Sequence, residues 1–287
     1  MSDKANPLGD YLRARRGLVT PEQAGIPDLG GRRVSGLRRE EVAMLAGISA
    51  DYYLRLERGR DRNPSREVLE SVARVLQLDD EGVAYLLGLA ADNPRRRKRR
   101  RSPKESVPAG IVKLLATLTQ PAFVEDRYFD VLAANELASA LDTHIAVGRN
   151  QLRDLFQDPY APTLYPDWDE ATACLIASFR QAAIADVDDP RFIELVGELS
   201  LSSARFRYLW NRHDVAGQRG SYFHLDHPQV GGLRLNRERL AIAGTEGMML
   251  VVYHPDADSA DADKLALLAS SALPPAGHRG TRAESER

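Results

Sequence analysis

The segment that most constrains this chain is Leu37 to Gly59, LRREEVAMLAGISADYYLRLERG. Val42, Leu45 and Ala46 fall on one helical face, and Ala43 is small enough to let a second helix come close. Gly47 can adopt the left-handed conformation needed where a helix ends and the chain turns sharply. Ile48 fills the corner, and Ser49 is a good N-cap for a second helix carrying Tyr52, Tyr53 and Leu56. The pattern predicts two short helices across a tight turn, a helix-turn-helix. Any helical hairpin needs a turn glycine, so the basic surround decides the reading. Arg38 and Arg39 open the first helix, and Arg58, Arg60 and Arg62 follow the second, where guanidinium groups would neutralise phosphates on either side of a DNA groove.

The flanking sequence predicts a bundle of about five helices. DYLRARR supplies the first; Pro64-Ser65 caps REVLESVARVLQL, and Asp79-Asp80-Glu81 places acids at the positive end of VAYLLGLA. With Ser49 to Arg58 as recognition helix, Ala50, Asp51 and Arg55 are the side chains expected to reach base edges. Arg55 suits guanine, Asp51 a cytosine amine, and Ala50 a thymine methyl. The expected DNA-contacting set is therefore Arg38, Arg39, Ser49, Ala50, Asp51, Tyr52, Arg55, Arg60 and Arg62, with Tyr52 and Tyr53 read as core or phosphate-contacting residues rather than base readers. Glu57, among apolar neighbours, is expected to pair with Arg15 or Arg16.

At 287 residues, with 43% hydrophobic and 28% charged, the chain has material for two folded domains. Its net charge of -2 conceals an asymmetry: residues 1–105 hold 22 basic against 16 acidic side chains, and the remainder 17 against 25. Only the first part is suited to a polyanion. The seven basic residues Arg95 to Arg101 cannot pack in a core and mark a linker, either solvated or lying along phosphates. The expected division is 1–91 helix-turn-helix domain, 92–106 basic linker, 107–271 second domain and 272–287 disordered tail.

Beyond Val107 the pattern is mixed. Pro121 to Asn135 is strand-like and runs into a helical ELASAL. Helices are expected at Gln151 to Phe156, Asp169 to Ile184, Pro190 to Leu199 and Ala204 to Asn211. SYFHLDH, GGLRLNR, RLAIA and GMMLVVYH then read as successive strands. Together they imply an α+β sheet with helices on one face.

No apolar run reaches the ~18–20 residues of a membrane span and no signal-peptide core is visible, which predicts a cytoplasmic protein without membrane contact. The one cysteine, Cys174, is expected as a small buried residue. His213-Asp214 and the group His224, Asp226 and His227 bring histidine and aspartate together, but His224 and Asp226 share a strand face while His227 points away, so no metal site is expected. No phosphate-cradling glycine loop or nucleophile elbow is present, and neither enzymatic activity nor a cofactor is expected.

LRREEVAMLAGISADYYLRLERGRDRNPSREVLESVARVLQL resembles the Cro and lambda-repressor-like class of xenobiotic-response-element regulators. Gly30-Gly31-Arg32-Arg33, Leu37 to Glu41 and Tyr52 to Glu57 are similar to the subgroup carrying an MmyB-like ligand-binding domain. So are FDVLAAN (129–135), LYPDW (164–168), LVGELS (195–200), FRYLWNRHDV (206–215) and LVVYHP (250–255). The resemblance implies a PAS-like C-terminal fold, dimerisation, transcriptional control and, in some relatives, fatty-acid-like ligands. The chain departs from the pattern Trp-Asp-Val-Leu-Ala-Trp-Asn, with Phe129 and Ala133-Ala134, and the loss of two indoles would reshape a pocket.

The fold class expected is thus multidomain, an all-α five-helix domain followed by an α+β PAS-like domain. Candidate pocket residues are Phe123, Phe129, Val131, Trp210, Phe223 and Met249, with Asn135 and His213 as polar handles. Plain core packing, and an N-cap role for Asn135, are the competing readings. The expected partners are double-stranded operator DNA, as an inverted repeat read by a homodimer, and a small-molecule ligand. A C-terminal domain that only dimerises or recruits a protein such as RNA polymerase is the alternative.

Overall fold

The computed structural model describes residues 6–27, 32, 34–61, 63–91, 106–182, 189–215 and 221–272. The basic run 95–101, the tail beyond 272 and Arg62 lie outside these residues. Five helices come first: α1 Pro7–Leu18, α2 Arg39–Ala46, α3 Ala50–Glu57, α4 Arg66–Val75 and α5 Asp80–Ala90. Each start has a local cause. The side chains of Asn6, Ser49, Ser65 and Asp79 accept backbone N–H groups of Gly9, Tyr52, Val68 and Gly82, satisfying donors that a helix leaves open in its first turn. Their apolar faces close on one core, in which Tyr11, Leu12, Leu37, Val42, Tyr53, Leu56, Val72, Leu76 and Leu86 are almost completely buried. Gly47 ends α2 at φ 70°. Leu45, expected inside, is 40% exposed. The buried arc of α2 is centred on Val42, Ala43 and Ala46, where α3 and α4 pack against it, and Leu45 sits outside that arc.

The rest of the chain forms α6 Ala109–Leu115, β1 Ala122–Glu125, β2 Val131–Ala134, α7 Glu136–Leu141, α8 Gln151–Gln157, α9 Ala161–Leu164 and α10 Trp168–Ala182. After these come α11 Pro190–Ser202, α12 Ala204–Arg212, β3 Ser221–His227, β4 Gly231–Ala241, β5 Met249–His254 and α13 Ala260–Ala272. The strands form one antiparallel sheet in the order β2-β1-β5-β4-β3. This is the α+β architecture that the strand and helix patterns imply.

Three readings of this half are corrected. The stretch 121–135 is a hairpin, because the Asp126 carboxylate accepts the N–H groups of Tyr128 and Asp130 and turns the chain, with Phe129 held at φ 65°. GGLRLNR and RLAIA are one strand, β4, whose whole length is paired with β3 and β5 in turn. Cys174 is exposed on α10, whose buried positions are Thr172, Leu175, Ile176 and Phe179.

The residues gather into two compact units that do not follow chain order. One comprises the N-terminal bundle, residues 155–158 and the helices from Asp169 through α12. The other comprises α6, the sheet, α7, α9 and α13.

Candidate nucleic-acid interface and sensor domain

The second helix of the motif, α3, exposes Ala50, Asp51 and Arg55, one turn apart on a face left free by the burial of Tyr53, Leu56 and Glu57. Ser49 is exposed and its hydroxyl accepts the Tyr52 N–H at 3.1 Å. Tyr52 is half-buried, and the Arg55 guanidinium lies 5.3 Å from its ring centre, an arrangement that steadies a long side chain at the surface. Arg38 and Arg60 are exposed at the two ends of the motif. The Arg38 N–H donates to Glu41 at 2.6 Å, and Arg32 holds the same carboxylate at 2.7 Å, so Glu41 titrates below the ordinary carboxylate range.

Glu57, only 1% exposed, fixes the position of α3. Its two oxygens receive Arg16 Nε at 2.7 Å and Arg39 Nε at 2.6 Å. Of the two candidate partners in α1, Arg16 is the one used. Arg39, expected on phosphates, is tied through Nε to this buried carboxylate, while its side chain stays 45% exposed. It joins α2 to α3 first. The backbone end of α3 is held as closely: Asn6 Nδ2 and Arg13 donate to the Glu57 carbonyl at 2.9 and 3.3 Å. A Cβ on Gly9 would lie 2.1 Å from that carbonyl oxygen, so only glycine lets α1 come this near.

In the sheet unit, Phe123 faces Val251 in register, and its ring centre is 6.1 Å from that of Tyr253, which in turn is 4.5 Å from Phe223. Tyr165, following α9, packs on Phe223 at 5.6 Å. The Tyr165 hydroxyl donates to the buried carboxylate of Asp142, which also receives the His144 backbone N–H at 2.8 Å. Burial, and then the Asp142 charge, keep the Tyr165 hydroxyl protonated well above its ordinary range. Met249 pairs in register with Glu125, a fully buried carboxylate bound by Arg239 at 2.9 Å, and Arg239 also lies over the Phe129 ring. Val131, opposite Glu125, is buried.

The other candidate ligand residues have different surroundings. Asn135 uses its side chain structurally: Oδ1 accepts the N–H groups of Ala138 and Ala122, and Nδ2 donates to the carbonyls of Gln120 and Leu118. This is the capping reading, and it leaves no free polar atom for a ligand. Trp210 and His213 belong to the helical unit. Trp210 stacks on Phe206 at 5.6 Å within a cluster that includes Phe179 and Phe192. Sequence reasoning missed Asp142, Tyr165 and the Glu125–Arg239 pair. Only Tyr165 carried a signal, its place in LYPDW. His224 is exposed and bonded to Asp167, whereas His227 is buried against the Ala140 carbonyl.

A capped helix-turn-helix within a five-helix bundle, followed by an α+β sheet domain, is the architecture of a two-domain DNA-binding regulator. The family model for the MmyB-like transcription regulator ligand binding domain matches residues 107–268, more than half of the chain, and a helix-turn-helix domain model matches residues 7–86. The chain belongs to the family of MmyB-like transcription regulators. No curated protein matches it. Among the described residues no helix is long and apolar enough to cross a membrane.

Proposed function

We propose that the protein is a homodimeric, sequence-specific regulator that reads an inverted-repeat operator with Ala50, Asp51 and Arg55, and whose activity is modulated by a small, fatty-acid-like molecule in the C-terminal domain. It works in the cytoplasm and has no catalytic role. The exposed face of α3, held by the Ser49 cap and the Glu57 ion pairs, carries the DNA part of this reading. Ser49, Arg38 and Arg60 act as phosphate contacts around it, with Arg62 and the run 95–101 adding to the salt dependence of binding. The aromatic and apolar face built by Phe123, Phe223 and Tyr253, with the Asp142–Tyr165 pair at its edge, supports the sensing part.

The test is binding of the purified protein to its own upstream DNA and to an unrelated duplex at about 0.15 M salt, where non-specific attraction is partly screened. Strong preference for the upstream fragment is expected; equal weak binding to both counts against autoregulation. One observation favours a second reading, in which the C-terminal domain serves dimerisation or recruitment of a protein such as RNA polymerase. Val112 and Leu114 on α6 are exposed, and beside that helix runs an open apolar groove of about 460 Å³ lined by Ile111, Leu240, Ile242 and Leu250. A thermal shift on adding fatty acids separates the readings, because only an occupied pocket gains stability from a ligand.

A further inference from the structure

Within the helical unit the N-terminal bundle is attached to α10 and α12 through a small polar joint. Arg15 of α1 binds Asp214 at 2.6 Å, and Arg212 holds the other oxygen of that carboxylate at 2.7 Å. The Tyr11 ring lies 6.4 Å from that of His213, and Val215 packs against the core of the bundle. Arg180 of α10, 5% exposed, lies 3.9 Å from the centre of the Trp210 ring and donates to the Trp210 carbonyl; its Nη1 is 3.1 Å from His213 Nδ1. It also bonds Tyr85 of α5. His213 ends α12 at φ 54°, a left-handed turn that histidine tolerates better than branched residues do.

The two neighbours Arg15 and Arg16 point to different anchors. Arg15 goes to Asp214, and Arg16 to Glu57 under the recognition helix. The same helix α1 is pinned to the end of α3 through Asn6, Arg13 and the close approach at Gly9. We propose that α1 is the lever by which the C-terminal helices set the recognition helix, with the Arg15–Asp214 pair as its input and the Arg16–Glu57 pair as its output. A shift of α12 toward or away from the bundle moves Arg15, and α1, rigid and tightly packed, carries the motion to α3. The proposal rests on α3 being the DNA-reading element, and its test does not require DNA.

The experiment is hydrogen exchange on the full chain, comparing wild type with Asp214→Asn, Arg15→Met and the double variant. The urea midpoint is measured on each, so that global unfolding is separated from local opening. Both side chains of the pair are partly solvent-exposed, and each single variant is expected to fold. Exchange of amides in both α1 and α3 should rise roughly fivefold in either single variant and no further in the double, the mark of one interaction. Unchanged exchange in α1 would show that the joint does not hold the bundle. Faster exchange in α1 with α3 unmoved would overturn the lever, as would effects of the two substitutions that simply add. Titrating the same variants with the upstream duplex keeps the two readings apart: a wild type without DNA preference removes the operator reading, while the exchange result still decides the lever.

Discussion

Two buried charges in this protein are held in opposite ways. Glu57, at the end of α3, has an arginine on each carboxylate oxygen. Arg180, in the C-terminal helices, is 5% exposed, and its partners are a carbonyl, an imidazole, a tyrosine hydroxyl and an indole face, with no carboxylate paired to it among the described residues. Its desolvation lowers its proton affinity, although a guanidinium remains charged at any ordinary pH. A doubly paired charge fixes one geometry, since any displacement of the carboxylate breaks one of its two ion pairs in a desolvated site. A cation whose direct partners are neutral dipoles and a ring, with the Asp214 charge acting on it from farther off, gains less from its fixed geometry and is easier to rearrange. The bundle around α3 should therefore be its rigid part, and the attachment at α10 and α12 the adjustable one.

The sharpest way to break this contrast is Glu57→Ala. Two arginines would lose their buried partner, and the helix-turn-helix should lose about 3–5 kcal/mol of stability, read from urea unfolding. A cost below ~1 kcal/mol would mean that Glu57 is no more than a surface ion pair and that α3 is held by its apolar contacts alone.

Acid should act on the other site. Burial first, and then the charges of Arg180 and Arg15, push the His213 imidazole down to about 3, with Asp214 opposing and Arg13 adding to the fall. The unfolded chain takes up this proton near pH 6.5 and the folded one only near 3, so the stability contributed by neutral His213 is complete above about 6.5 and is lost as pH falls toward 3. Because the ring is only half-buried, the loss is roughly 2–3 kcal/mol. His213→Asn, which tolerates the left-handed turn and does not titrate, should flatten stability over that window. An equally steep acid loss in the variant would place the proton uptake elsewhere.

Between these charges, Arg55→Ala probes the exposed face of α3 without touching either. It should weaken specific DNA binding by ~1–3 kcal/mol and relax preference at one base pair, with unfolding unchanged. Equal weakening on every duplex would make Arg55 a phosphate contact.

Much of this was legible in the sequence where one residue type has one local task. Gly47 at a left-handed turn and the caps Ser49 and Ser65 act within a few residues, and α2 and α3 fall where those signals put them. Leu45 was misplaced because α2 is only two turns long, and which arc is buried depends on the helices arriving against it. The hairpin at Asp126 was missed because FVEDRYFDV has strand-like composition throughout, and its turn depends on one carboxylate accepting two nearby N–H groups. The long-range polar pairs, Asp142 with Tyr165 and Glu125 with Arg239, left no periodicity to read. They join residues far apart in the chain that only the tertiary fold brings together, as it does Arg180 and Tyr85 in the helical unit. Trp210 and His213, pocket candidates by sequence, lie in the helical unit beside the Arg15–Asp214 joint; from sequence alone a ligand pocket and a joint look alike, since both set aromatic rings beside a polar group.

Arg180→Met is the finest test of the contrast. The substitution removes a cation whose burial is only partly compensated, and that relief offsets the lost stacking on Trp210 and the neutral acceptors left without a donor. The net cost should be ~1 kcal/mol or less, well below that of Glu57→Ala, because methionine fills similar space against the indole. The relief has a second consequence for His213: with the guanidinium gone, the imidazole loses its nearest positive neighbour, and its pKa should move up toward the ordinary histidine value. A variant as damaged as Glu57→Ala would show that Arg180 is as firmly compensated as Glu57. The attachment at α10 and α12 would then be a second rigid anchor rather than the movable one.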